Sequence, residues 1–196
     1  MNFGGPGVRF LSTLPWPAHP PRPSLNCGMS ASAIRILGVD PGLRNTGWGI
    51  IDAQGSKLVF VASGCLHTDA AAPMGERLRR LLEGLSEVIA TFTPQEAAVE
   101  ETFVNRDPQS ALKLGQARGV ALAAPALAGL AIEEYAANLV KKTVVGNGHA
   151  DKAQVAMMVR VLLPASFAAS KDAADALAVA ICHAQHREAL LRARRA

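Results

Sequence analysis

Short apolar runs separated by turn residues dominate the first part of the folded chain and predict a meander of strands. Residues 34–39 are mostly apolar and end at Asp40, where a Pro-Gly pair interrupts the run. A second run covers residues 47–51, and a third covers residues 57–66. The pattern therefore predicts three consecutive strands, with a carboxylate placed at the first turn between them.

Helical spacing of apolar residues begins after the third strand. Apolar residues recur at intervals of three and four in four segments, and each segment is predicted to be a helix. These segments are residues 74–91, 110–127, 152–163 and 171–191, and two short runs at 96–100 and 131–135 read as further strands. A meander followed by alternating strands and helices predicts an α/β fold with three layers around a mixed five-stranded sheet.

The composition agrees with one ordinary domain of helix-rich α/β type. The chain has 196 residues, 49% of them hydrophobic, and no apolar run approaches the roughly 18 residues that a membrane span requires. Its three cysteines, Cys27, Cys65 and Cys182, are far apart. This spacing argues against a disulfide framework or a zinc site and predicts a reducing, cytoplasmic setting without membrane attachment.

The two ends of the chain differ from its body. Residues 1–33 are rich in proline and glycine and predict a disordered extension, ahead of a folded domain over 34–187 and a basic tail over 188–196. The net charge of +4 comes from arginines at these ends, and residues 29–186 are close to neutral. A nucleic-acid surface on the body would therefore be a local patch.

Acidic residues stand at the ends of three predicted elements. Asp40 ends the first strand, and Glu100 and Glu101 end the fourth, where alternation allows only one of the two to face a given side. Asp172 and Asp175 lie three apart in the first turn predicted for the last helix and share a face. Asp40, Asp172 and Asp175 each have a structural alternative, because turn and helix-start carboxylates are common caps.

A gathering of such acids would suit a hard divalent cation. Mg²⁺ prefers oxygen ligands and keeps several waters, so a few carboxylates and a phosphate can complete its shell. Two such ions can assist hydrolysis of a phosphodiester. The sequence offers no paired Ser, Cys or His nucleophile, and His183 and His186 read as surface or core residues. His149, in a glycine-rich loop, is a weaker candidate for a phosphate contact.

Two features are candidates for contacts with nucleic acid. Lys141, Lys142 and Lys152 flank a glycine-containing stretch whose backbone amides could approach phosphate, although a solvated turn would look the same. Phe103 follows Glu100 in a polar stretch. Its ring could stack on an unpaired base or anchor the loop in the core, and the sequence leaves both open.

Taken together, these segments closely resemble the RuvC family of bacterial Holliday-junction resolvases, within the RNase H-like nuclease and integrase superfamily. The resemblance covers residues 35–186, nearly all of the chain outside its ends. It is carried by five segments in fixed order, GVDPGLRNTGWG at 38–49, VEETF at 99–103, SALKLGQARGV at 110–120, VKKTVVG at 140–146 and DAADALA at 172–178. The extension over 1–33 and the arginine-rich tail depart from the family pattern without touching these segments.

The resemblance implies an RNase H-like fold and a homodimer that binds a four-way junction and nicks two strands symmetrically during recombination and repair. It implies two Mg²⁺ ions per site, with Mn²⁺ able to substitute, and the RuvA and RuvB branch-migration proteins as partners. The metal ligands that it implies are Asp40, Glu100, Asp172 and Asp175. It also favours Glu100 over Glu101.

The resemblance places Lys141 and Lys152 on DNA and Phe103 against a base near the junction centre. Lys142 is included with them because it adjoins Lys141 in the same basic segment.

Three other functions share parts of this pattern. Sugar kinases, actin and Hsp70 use a similar Asp-Gly hairpin to hold nucleotide phosphates, but they need two such lobes and a longer chain. A junction-binding protein without catalysis would gain nothing from acids gathered near DNA phosphates. Short RNA-processing relatives of the superfamily have a related hairpin, so RNA is a further alternative substrate.

Overall fold

The structure is a computed structural model that describes residues 33–101, 107–166 and 169–193. Its centre is a five-stranded sheet in the order β3-β2-β1-β4-β5. The strands are β1 (Ile34–Asp40), β2 (Asn45–Gln54), β3 (Lys57–His67), β4 (Glu96–Glu101) and β5 (Ala131–Ala136). β1 runs antiparallel to β2 and parallel to β4, and β4 runs parallel to β5. The predicted mixed sheet is therefore confirmed.

Within the described ranges, five α-helices cover the two faces of this sheet. They are α1 (Met74–Phe92), α2 (Pro108–Leu127), α3 (Ala137–Val145), α4 (Lys152–Leu162) and α5 (Lys171–Ala193). One core lies between the sheet and α1 with α2, and includes Leu37, Leu85 and Val99. The other lies between the sheet and α3, α4 and α5, and includes Ile36 and Leu177. The three predicted layers are therefore present.

Alternation along β1 and β4 decides which core each residue enters. Leu37 and Val39 pack in the α1 and α2 core, whereas Ile36 packs in the core beneath α5. Asp40 has the same parity as Ile36, so its side chain is directed to the α5 face at the end of the strand. The strand therefore delivers a carboxylate to the helix-covered side of the sheet.

The turn between β1 and β2 is held by the buried side chain of Thr46. Its hydroxyl donates to the carbonyl oxygen of Gly42 at 2.6 Å and accepts from the Gly42 amide at 3.3 Å. A Cβ atom at Gly42 would lie 2.1 Å from the carbonyl oxygen of Asn45. Glycine is therefore required by the tightness of this turn.

Helix α3 is absent from the sequence-based interpretation, which treated the region as a basic, glycine-containing stretch. The helix follows β5 directly and ends at Gly146, which adopts a left-handed conformation with φ of 83°. Helix α5 continues to Ala193 and passes through the boundary predicted at residue 187. Residues 1–32, which hold most of the predicted extension, lie outside the described residues. No helix within the described ranges is long and apolar enough to span a membrane.

Candidate active site

Three carboxylates and two lysines border one cavity of about 140 Å³ at the end of the sheet. Asp40 comes from the end of β1, Glu100 from β4 and Asp175 from α5. Lys141 reaches the cavity from α3, and Lys152 reaches it from the first residue of α4. The structure thus brings together acids and bases that are far apart in the sequence.

The sheet register explains why Asp40 and Glu100 meet. β1 and β4 are parallel neighbours, and Val39 pairs with Val99, which places the next residue of each strand side by side. Glu100 has the parity of Ala98, which packs in the core beneath α5, and Glu101 alternates to the opposite face. The structure therefore places Glu100, and not Glu101, with the other acids.

Glycines in the first two strands bring α5 against the sheet. A Cβ atom at Gly38 would lie 2.2 Å from the carbonyl oxygen of Ala176, and one at Gly47 would lie 2.0 Å from that of Asp172. These distances leave no room for a side chain, so the helix backbone rests directly on the strands. This contact brings the beginning of α5 to the end of β1.

The start of α5 differs in detail from the prediction. Ser170 caps the helix, since its hydroxyl oxygen accepts a hydrogen bond from the Ala173 amide at 3.2 Å. Asp172 is in the first turn, but Asp175 is one turn further along and faces the cavity. Neither acid therefore serves as the side-chain cap that was their structural alternative.

Burial and like charge raise the pKa values of two of these acids. Desolvation, followed by repulsion from Glu100 and Asp175, raises the pKa of Asp40 to about 7. Desolvation and repulsion from Asp175 likewise raise the pKa of Glu100 to about 7. Lys152 opposes the shift at both residues. Burial, reinforced by the closeness of like charges, therefore favours the protonated forms of these two acids.

Asp175 is the acid that has a direct cationic partner. Its Oδ2 accepts a hydrogen bond from Lys152 Nζ at 2.7 Å. The Lys152 side chain is 75% exposed, whereas that of Asp175 is 14% exposed. The ammonium group therefore reaches in from solvent to a carboxylate that is largely covered.

Asp172 is directed away from the cavity, toward β3. Its Oδ2 accepts a hydrogen bond from the Cys65 thiol at 3.7 Å, and its charge contributes to the raised pKa of Asp40. Burial and the neighbouring Asp172 raise the pKa of Cys65 to about 11, which keeps the thiol protonated. Sequence reasoning missed Cys65, which no local motif marks, because its partner lies 107 residues away.

The donor atoms are of the kind that a hard divalent cation prefers, although they do not converge on one point. Within the described ranges, no three His, Cys, Asp or Glu side chains converge closely enough to enclose a metal ion. Asp175 is engaged by Lys152, and Asp172 by Cys65. All the donors are carboxylate oxygens, and an ammonium group already stands at Asp175. A bound cation would offset both the burial and the repulsion that raise the pKa values of Asp40 and Glu100. Asp40, Glu100 and Asp175 are the residues that would hold such an ion, once their side chains draw closer together.

The remaining predicted contact residues lie elsewhere. Lys142 is exposed on α3 and is not among the residues that line the cavity, unlike its neighbour Lys141. Phe103 lies outside the described residues. His149 is exposed in the loop before α4, and its backbone amide donates to Asn147 Oδ1 at 3.0 Å.

A second polar group, here called the Glu96 cluster, lies at the opposite end of β4. It consists of Glu96, Tyr135, His183 and Arg187. His183 Nε2–H donates to Glu96 Oε2 at 2.9 Å, and Arg187 Nε–H donates to the same oxygen at 2.8 Å. The Tyr135 hydroxyl lies 2.8 Å from His183 Nδ1. His183 is thus a buried structural residue, consistent with its interpretation as a non-ligand.

Comparison with known proteins connects this geometry with one family. The family model "Crossover junction endodeoxyribonuclease RuvC" matches residues 36–183. A protein of that name from Methylocella silvestris is 70% identical over 159 residues, which are 81% of this chain and 90% of the relative.

Solved structures give the same result. Thermus thermophilus RuvC in complex with a Holliday junction substrate matches with a TM-score of 0.74 and 34% identity, over 80% of this chain and 96% of that one. The yeast mitochondrial Holliday junction resolvase Ydc2 matches with a TM-score of 0.61 over 82% of this chain and 81% of its own. Its 13% identity supports a shared fold alone.

Proposed function

The chain belongs to the RuvC family of crossover junction endodeoxyribonucleases, which are hydrolases, and we propose that it resolves four-way DNA junctions by nicking two strands symmetrically. The observation that carries this proposal is the convergence of Asp40, Glu100 and Asp175 on one cavity beside Lys141 and Lys152. The Thermus thermophilus relative, whose structure holds a Holliday junction, supports the choice of substrate.

We propose Mg²⁺ as the cofactor, two ions per site, with Mn²⁺ able to substitute. Asp40, Glu100 and Asp175 would hold them at the cavity, and Asp172 would join after its carboxylate turns from Cys65. When bound, such ions supply an activated water and offset charge on the leaving oxygen. Support comes from the all-oxygen donor set and from the raised pKa values of Asp40 and Glu100, which a cation would return toward normal.

The chain's own residues position the DNA strand in this proposal. Lys141 and Lys152 stand on the rim of the cavity, where their ammonium groups hold the phosphate to be cleaved. Lys142 contacts the backbone further along the strand, and Phe103 stacks on a base near the junction centre. The carboxylates cannot themselves attract DNA, so binding at this end of the sheet depends on the lysines.

Symmetric nicking requires two copies of the site, and we propose a homodimer formed through α2. One face of that helix exposes Leu112, which is 68% accessible, and Gly115 and Gly119, which have open space at their Cβ positions. Small residues beside an exposed leucine allow close helix approach. We further propose RuvA and RuvB as functional partners. A cytoplasmic location agrees with the free thiols of Cys65 and Cys182.

A gel assay with a synthetic four-way junction tests the proposed function. We expect paired nicks at symmetric positions with Mg²⁺, none with EDTA, and no cutting of linear duplex of the same sequence. Asp40→Asn should bind the junction but not cut it. Equal cutting of junction and duplex would contradict the proposal, as would cutting by Asp40→Asn.

A further inference from the structure

Lys152 contacts the site through an ion pair, but most of its side chain is exposed to solvent. Its Nζ lies 2.7 Å from Asp175 Oδ2, yet its side chain is 75% exposed. A lysine with that exposure has solvent on most sides, and an ion pair at such a position is readily exchanged. Asp175, at 14% exposure, is the fixed partner.

The backbone at Lys152 is stabilised by a reciprocal pair of capping hydrogen bonds. Asp151 caps α4 by accepting from the Gln154 amide at 2.8 Å. The Gln154 side chain accepts from the Asp151 amide at 3.0 Å in return. This reciprocal pair fixes the first turn of the helix, whose first residue is Lys152.

Lys152 acts on every acid that borders the cavity. It pairs with Asp175, and its charge opposes the raised pKa values of both Asp40 and Glu100. Lys141 opposes the shift at Glu100 alone. In this state of the protein, Lys152 is therefore the principal internal counter-ion of the site.

The position of Lys152 also joins the site to a neighbouring, more basic cavity. This second cavity, of about 540 Å³, shares Lys152 and Asp175 with the first and is also lined by Asp151, Arg160 and Lys171. An ammonium group that leaves Asp175 would remain beside this space, because Lys152 lines both cavities. Its lining carries three cationic side chains against two acidic ones, a balance that suits the phosphates of a DNA strand better than the acid-rich first cavity does.

We propose that Lys152 is an exchangeable counter-ion: it occupies Asp175 before a divalent cation binds, and the cation displaces it toward a DNA phosphate. This rests on the proposed function, since it requires a metal site at these acids. The exchange couples the two binding events, because metal binding turns a lysine held by protein into one available to DNA. It also keeps Asp175 neutralised when no metal is present.

The first test measures divalent cation binding without DNA. Ca²⁺ is titrated calorimetrically into the wild type, Lys152→Met and Lys141→Met. Both variants remove one positive charge beside the cavity, but only Lys152→Met removes the group that occupies Asp175. We expect Ca²⁺ to bind roughly tenfold tighter to Lys152→Met and about twofold tighter to Lys141→Met.

The second test measures junction binding with EDTA and with Ca²⁺ at equal ionic strength. With Ca²⁺, Lys152→Met should weaken binding roughly fivefold and lower the slope of log K against log salt by about 1. With EDTA the same substitution should have little effect, since Lys152 is held by Asp175. Lys141→Met should weaken binding similarly under both conditions.

A second pair of variants releases the lysine without metal. Asp175→Asn and Asp172→Asn remove the same charge, but only Asp175→Asn removes the partner of Lys152. With EDTA, Asp175→Asn should therefore raise junction affinity more than Asp172→Asn does. A further Lys152→Met substitution should abolish that excess.

These outcomes separate the exchange from the metal site on which it rests. Equal Ca²⁺ affinity in Lys152→Met and Lys141→Met, or a junction-binding loss that is the same with and without Ca²⁺, would overturn the exchange while leaving the metal site intact. Absence of any saturable Ca²⁺ binding to the wild type would instead overturn the metal site, and the exchange with it.

Discussion

Two glutamates on strand β4 lie in different surroundings, and their pKa values shift in opposite directions. Glu96 and Glu100 lie four residues apart and face the same side of the sheet, beneath α5. The pKa of Glu96 is lowered, because hydrogen bonds from His183 and Arg187 outweigh its burial. The pKa of Glu100 is raised to about 7 by burial and by Asp175.

The contrast separates a carboxylate whose charge stabilises the folded state from one whose charge destabilises it. Glu96 is satisfied by partners within the chain, and its charge stabilises the folded state. Glu100 is buried and lies beside a like charge, so its ionised form destabilises the folded state when no cation is bound. A raised carboxylate pKa in a cavity therefore marks a group maintained for binding or catalysis.

Removing the charge of Glu100 should cause the largest loss of activity, and it should raise the stability of the folded state. Glu100→Gln is expected to lower junction cleavage by roughly 10³-fold or more, because a ligand of the proposed metal site is lost. In EDTA the same variant should be more stable than the wild type by about 2 kcal/mol. Single-turnover cleavage and urea denaturation provide the two measurements. A variant that is both inactive and destabilised would show that Glu100 is structural.

Removing the charge of Glu96 should lower the stability of the fold more than it lowers cleavage activity. Glu96→Gln leaves His183 and Arg187 without a carboxylate in a largely covered place, and we expect a loss of about 3 kcal/mol in the free energy of unfolding. Glu83→Gln is the matched control, since Glu83 pairs with Arg79 on the surface and its loss should cost about 0.5 kcal/mol at most. Similar denaturation midpoints for the two variants would refute the distinction.

The two glutamates should also respond oppositely to pH. A raised folded pKa means that the folded state binds the proton more tightly, so ionised Glu100 lowers stability as the pH rises from about 4 to about 7. The stability advantage of Glu100→Gln in EDTA should therefore be near zero at pH 4.5, grow up to pH 7 and then remain constant.

The lowered pKa of Glu96 gives the opposite sign. Its ionised form stabilises the folded state, and this contribution is lost as the pH falls through the folded pKa. The cost of Glu96→Gln should therefore be complete at pH 7 and shrink in acid. Urea denaturation between about pH 3 and pH 8 distinguishes the two, since the Glu96 contribution is lost only below about pH 4.5, and parallel profiles would contradict the comparison.

Substitution of Cys65 is expected to have the smallest effect on junction cleavage. Its thiol donates to Asp172 over 3.7 Å, so Cys65→Ala should change cleavage by about threefold or less. Because its pKa is raised to about 11, the thiol should react with a disulfide reagent far more slowly at pH 7.5 than an unhindered cysteine. A fast reaction of Cys65, measured in a Cys27→Ser, Cys182→Ser background, would contradict this.

Much of the fold followed from residue periodicity. Alternation predicted the strands, and the spacing of three and four predicted the long helices to within a few residues. Helix α3 escaped prediction for a physical reason. Its last turn contains Thr143, Val144 and Val145, β-branched residues with low helix propensity, and its stability comes from packing Val140 and Val144 against neighbouring elements.

The site was only partly visible in the sequence. Acids at strand ends indicated a cluster, because parallel strands bring their carboxyl ends together. The pairing of Lys152 with Asp175 depends on how α4 packs against α5, and no local pattern encodes that packing. The direction of Asp172 toward β3 likewise depends on a thiol far away in the sequence.

The backbone contact between α5 and the first two strands has a consequence for how the site could ever be altered. Because a Cβ atom at Gly38 or Gly47 would collide with the helix backbone, main-chain atoms limit how closely the helix that carries Asp175 approaches the strand that carries Asp40. Side-chain repacking elsewhere cannot adjust such a distance, since no rotamer lies within the gap. Evolution can change which acids stand at these positions more easily than it can change how far apart they stand. The backbone positions of the site are therefore fixed, and only the side chains placed on them can vary.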